Sequence, residues 1–120
     1  MNVSHRNVEI LDNFVPISKN STNLVTVDTT TGGTTIVDSN QLRVGIIIQN
    51  QGTNPVLLSF GEDTSTTNYS LILPGASGVR LGDGGAFSDM DNNWIWKGSI
   101  KGIVESGSSI VSILEKTKTG

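Results

Sequence analysis

Few residues in this 120-residue chain are equipped for chemistry: it has one histidine and no cysteine, and its eleven carboxylates fall largely in polar loops. Nucleophilic catalysis needs a base held within reach of the nucleophile. Here a Ser-His-Asp arrangement has only His5 to draw on, in the segment least suited to hold a side chain rigidly. His5 therefore reads as a solvent-exposed histidine. The same count excludes zinc, whose sites are dominated by Cys and His. Asp89, Asp91 and Asn93 offer oxygens at alternate positions, as a calcium loop does. An EF-hand would also need Gly at its sixth position and Glu at its twelfth, where Trp94 and Ile100 stand. Capping of a turn is the expected role for that loop. Glycoside hydrolysis needs two carboxylates in contrasting environments. Glu62, Asp63, Asp83, Asp89 and Asp91 share polar loops, and Glu105 and Glu115 end predicted strands. No catalytic residue, metal or cofactor is expected.

Trp94 and Trp96 are the sharper candidates. They stand two apart in a predicted strand, Trp94–Lys97, which would point both to the same side. A chain with six aromatic residues is expected to bury such a pair in its core or in a subunit interface. The competing role is an exposed platform for sugar rings, edged by Asp91, Asn92 and Asn93. The glycine-rich stretches Gly75–Gly78 and Gly82–Gly85 are not phosphate cradles, because no helix follows either.

The elements that must position these residues are strands. Val, Ile and Thr supply 36 residues and Ala only two, a composition that disfavours helix and favours sheet. From Leu24 onward, short β-prone runs alternate with turn clusters: Leu24–Asp28, Thr34–Asp38, Leu42–Gln49, Pro55–Phe60, Tyr69–Leu73, Gly78–Leu81, Trp94–Lys97, Ile100–Glu105 and Ile110–Glu115. Thr31-Gly32-Gly33 suggests a hairpin turn, and Asn50–Asn54 a five-residue hairpin loop. The run of Ile46, Ile47 and Ile48 is apolar on both faces and reads as a central strand. The expected fold is all-β: an antiparallel, jelly-roll-like β-sandwich of about eight strands over residues 24–120. Residues 1–23 read as an extended N-terminal arm. Its apolar positions Val8, Ile10, Leu11, Phe14, Val15 and Ile17 follow no clean period, and Pro16 interrupts them. Such an arm is expected to pack on its own domain, a neighbouring subunit or a larger surface.

Charge narrows the partners. Only 16% of residues are charged and the net charge is −3. There is no basic cluster of the kind nucleic-acid binding requires. No apolar run approaches the length of a membrane span.

The order Arg43-Val44-Gly45-Ile46-Ile47-Ile48-Gln49-Asn50, then Asn54-Pro55-Val56-Leu57-Leu58-Ser59-Phe60-Gly61, leads through Leu71-Ile72-Leu73-Pro74-Gly75 and Trp96–Ile103 to Val111–Glu115. This order resembles small virion proteins of tailed bacteriophages, in particular β-sandwich capsid decoration (cement) proteins. The resemblance implies a structural protein made in the host cytoplasm. It would sit on the outer surface of a mature capsid, bind the major capsid protein and bridge neighbouring capsomers as a homotrimer. On that reading Trp94 and Trp96 anchor the subunit interface, and the apolar arm residues touch the capsid. Related domains in phage tails and fibres keep a glycan-binding module open as the alternative.

Overall fold

The computed structural model describes residues 19–80 and 82–118. His5 and the arm positions Val8, Ile10, Leu11, Phe14, Val15 and Ile17 lie outside the described residues. Among the described residues the chain forms eight strands: β1 Lys19–Val27, β2 Thr34–Val37, β3 Arg43–Asn50, β4 Val56–Phe60, β5 Leu71–Leu73, β6 Ala86–Asp89, β7 Ile100–Ile103 and β8 Ser109–Thr117. They make two four-stranded sheets, ordered β1-β8-β3-β6 and β2-β7-β4-β5. Every pairing is antiparallel.

The topology follows from one fold-back. β4 pairs with β5 in one sheet, β3 with β6 in the other, then β2 with β7 and β1 with β8, alternating between sheets outward from the β4–β5 turn. That nested wrapping is a jelly roll, as expected. The sheets enclose Val27, Ile46, Ile48, Val111 and Ile113 from one side and Ile36, Val56, Leu58, Leu73 and Ile100 from the other. Each such side chain taken fully out of water contributes roughly 1.5–3 kcal/mol. β3 is central, between β8 and β6, and its Ile46 and Ile48 are buried while Ile47 faces outward and is half-buried.

Three local expectations change. Strand β1 starts at Lys19 rather than Leu24, because Lys19–Asn23 finds a full set of partners along Thr117–Ile113 of β8. Gly78–Arg80 and Trp94–Lys97 are loops, and the missing strand is the short β6, which pairs with Ile46–Gln49. Neither anticipated hairpin forms, since β1 and β2, like β3 and β4, enter different sheets. Their turns are arches across the sandwich, which a sequence period of two does not distinguish from hairpins.

Both ends of β3 carry a fully buried polar residue, and these tie the arches down. At the C-terminal end, Asn50 Nδ2 donates to the carbonyls of Asn54 (2.8 Å), Leu73 (3.1 Å) and Pro74 (3.3 Å). Its Oδ1 accepts from Gly52 N–H (3.0 Å) and Ser109 Oγ (2.6 Å). The loops meet so closely here that a Cβ on Gly84 would lie 1.9 Å from the Asn50 carbonyl oxygen. The glycine-rich stretch thus packs backbone against backbone. At the N-terminal end stands Arg43, which builds the site described next.

Candidate functional site

The connection from β6 to β7, Met90–Ser99, is a ten-residue loop fixed almost everywhere along its length. It begins with Asp91 in the left-handed region (φ 54°), a conformation Asp and Asn tolerate better than most residues. Asn92 then makes an Asx turn: its Oδ1 accepts the Trp94 N–H at 2.9 Å, and its Nδ2 donates to the Asp89 carboxylate at 3.2 Å. The Asn92 N–H donates to the Val44 carbonyl at 2.9 Å, which stitches the turn to β3. Ile95 plugs into the core with 5% of its surface exposed.

Arg43 holds the second half of the loop. Its side chain is wholly buried, and all three guanidinium nitrogens donate. Nε donates to Glu115 Oε2 on β8 at 2.8 Å. Nη1 reaches the carbonyls of Trp96 (2.8 Å) and Gly98 (2.9 Å), and Nη2 that of Asp38 (2.6 Å). A buried cation is tolerable only when paired and saturated with acceptors, and this one is both. The planar fork of arginine, unlike a lysine ammonium, reaches three separate chain segments at once.

The result separates the two tryptophans. Trp96 is 43% exposed and its ring stacks on Phe60, with centroids 6.3 Å apart and planes at 20°. Its Nε1–H donates to the Ser99 carbonyl at 3.0 Å. It lies so flat on the returning chain that a Cβ on Gly98 would come within 2.4 Å of the ring. Phe60 in turn meets Phe87 of β6 edge-on at 5.3 Å, so the aromatic row links the two sheets. Trp94 is 93% exposed. Its backbone is fixed by Asn92 and by the buried Ile95 beside it, while its indole stands in solvent. Of the two places expected for the tryptophans, core or subunit interface, the core of the chain takes neither: the loop turns Ile95 inward between them.

The acidic positions near this loop have local partners. Asp89 accepts from Asn92, Asp91 pairs with Lys116, and the Asn93 carbonyl accepts Lys97 Nζ at 2.9 Å. No group of three or more His, Cys, Asp or Glu side chains suited to a metal occurs among the described residues. The capping role expected of this loop is the one its geometry performs. Elsewhere among the described residues, two carboxyls shift, and both shift down. Hydrogen bonds from the Thr30 hydroxyl and N–H hold Asp28 below the ordinary carboxylate range. The Ser77 hydroxyl, helped by the Arg80 N–H, does the same for Asp83. A general acid needs the opposite shift, so these two residues are turn caps. Of the two acidic residues lining a 330 Å³ cleft between β1 and β2, Asp38 and Glu115, the latter is committed to Arg43.

Arg43 and Asn50 are the site-building residues that sequence reasoning passed over. Their signal was a charged and an amide residue bracketing a run as apolar as Val44–Ile48. A strand that central buries its ends, so polar groups there must find acceptors. No family model, curated protein or solved structure matches this chain.

Proposed function

We propose that this chain is a non-enzymatic structural virion protein that binds the outer surface of a mature phage capsid, contacts the major capsid protein and cements neighbouring capsomers as a homotrimer. The observation that carries the reading is Trp94, an exposed tryptophan on a braced loop. Two recesses, of about 680 and 330 Å³, lie elsewhere, along β1. A projecting aromatic on a fixed backbone is the kind of anchor that protein interfaces concentrate their energy in, since little backbone entropy is lost when it docks. Jelly rolls are also recurrent in virion architecture, in line with the resemblance of Arg43–Glu115 to decoration proteins. Binding only the mature lattice would stabilise that lattice by mass action, and a trimer would multiply weak contacts into firm attachment.

The test mixes the purified protein with expanded and unexpanded capsids and follows co-sedimentation. Attachment to expanded capsids alone is expected, with three copies per particle in free solution at micromolar concentration. Attachment to neither form would overturn the proposal. A second reading, a glycan-binding module of a tail or fibre, draws on the same exposed indole with Asn92 and Asn93 beside it. A shift in tryptophan fluorescence on adding oligosaccharides, without capsid attachment, would favour it.

A further inference from the structure

The four sheet edges are not alike. β5 has three residues, β2 and β6 have four, and β2 breaks register between Thr35 and Val37. Short or bulged edges resist pairing with other chains. β1 is the exception: nine residues without proline, with one charge, at Lys19, and in unbroken register with β8. Among the described residues nothing pairs with its outer edge.

Two recesses border β1, one on each face of its sheet. The outer one, about 680 Å³, is lined by Thr22, Leu24, Ile47, Gln49, Ser112 and Leu114. The inner cleft, about 330 Å³, has Ile36, Val37 and Ile113 among its walls. Both reach Asn23, in the middle of the strand. Leu24, beside it, is 63% exposed. A strand added here would gain backbone hydrogen bonds from β1 and alternate its side chains between the outer face beside Thr22 and Leu24 and the inner cleft.

We infer that residues Val8–Val15 of a second copy add to this edge, so that each subunit's arm is exchanged onto the β1 of its neighbour. The segment has the right length, eight residues against nine, and the right pattern. When extended, it points Val8, Ile10 and Phe14 to one side and Leu11 and Val15 to the other. Apolar character on both sides has no clean period, and it matches an edge with a recess on each face. The donor is a neighbour because of the join. Only Pro16-Ile17-Ser18 separates Val15 from β1. A three-residue hairpin needs a residue at positive φ, normally Gly, and this join has proline, a β-branched residue and serine. These three residues therefore disfavour a tight return of the arm onto its own edge. Exchange from each copy to the next closes a ring, whatever the Trp94 loop binds.

The test uses the full chain, whose lack of cysteine makes disulfide trapping clean. Sedimentation should give a multiple of the 12.7 kDa chain mass. Ile10→Asp, Phe14→Asp and the edge variant Leu24→Asp should each reduce it to a single copy while far-ultraviolet dichroism stays unchanged. Mixed Ile10→Cys and Leu24→Cys chains, oxidised together, should yield the cross-linked pair. A full chain that sediments as a single copy, arm variants that keep the oligomer, or an Ile10→Cys/Leu24→Cys double variant that bridges only within itself would each overturn the inference. Capsid attachment is scored separately, so a shell-binding monomer would refute arm exchange and leave shell binding standing.

Discussion

The two ends of β3 solve one problem in two ways. Each buries a polar side chain that gathers three chain segments: Arg43 takes Asp38, the Trp96–Gly98 turn and Glu115, and Asn50 takes Gly52–Asn54, Leu73–Pro74 and Ser109. The Asn50 end uses a neutral amide, and its loops close tightly on glycine. At the Arg43 end the anchor is a full charge with its own counter-ion, supporting a ten-residue loop that carries Trp94 into solvent. Closing a sandwich does not require a buried cation. Holding a long loop still enough to present one aromatic side chain gives a reason for it. The difference is what the contact role proposed for the Trp94 loop would ask of the Arg43 end.

The comparison breaks most visibly at Arg43. Arg43→Met leaves Glu115 without its partner and three carbonyls without donors, and removing one member of a buried ion pair typically costs about 3–5 kcal/mol. Urea unfolding should show a loss of that size, and Arg43→Lys should recover little of it, because an ammonium cannot span the three segments. Unfolding midpoints close to those of the parent chain for both variants would mean that the charge is not the anchor.

Asn50→Ala should cost less, about 2–3 kcal/mol, since it strands neutral carbonyls rather than a carboxylate. Its effect should also stay local. Amide hydrogen exchange should quicken at Gly52 and Ser109, and the near-ultraviolet signal of Trp96 should not move.

Acidification gives the smallest contrast. Both carboxyls held below their ordinary range, Asp28 and Asp83, cap turns toward the Asn50 end. A lowered folded-state value means their contribution is complete above the unfolded carboxylate value, about pH 4, and is lost as pH falls through the folded value. Titration followed by amide shifts should therefore loosen Thr30, Ser77 and Arg80 below about pH 4. Asp83→Asn should abolish the response at Ser77 and leave that at Thr30 intact.

Much of the fold was legible because β-branched runs and turn clusters alternate so regularly, and Ile46–Ile48 marked the central strand directly. Sheet membership was not legible: an arch and a hairpin share the same turn residues, and only the strand pairing tells them apart. The Trp94–Lys97 run misled for a related reason. Its alternation is genuine, but the buried member is Ile95, and the Asx turn at Asn92 pre-empts a strand. β6 was missed because Ala86–Asp89 follows glycines and is too short to show a period. Arg43 was overlooked because a charge leading an apolar strand looks like solvent-facing punctuation until its acceptors, as far away in sequence as Glu115, come into place.

The central claim is that Trp94 is held out for a partner and does nothing for the fold. Trp94→Ala, measured for both unfolding and attachment to expanded capsids, tests it most directly. Stability within about 0.5 kcal/mol of the parent chain is expected, with affinity lower by at least about tenfold, as for an interface anchor. Unchanged attachment, or a large loss of stability, would contradict it.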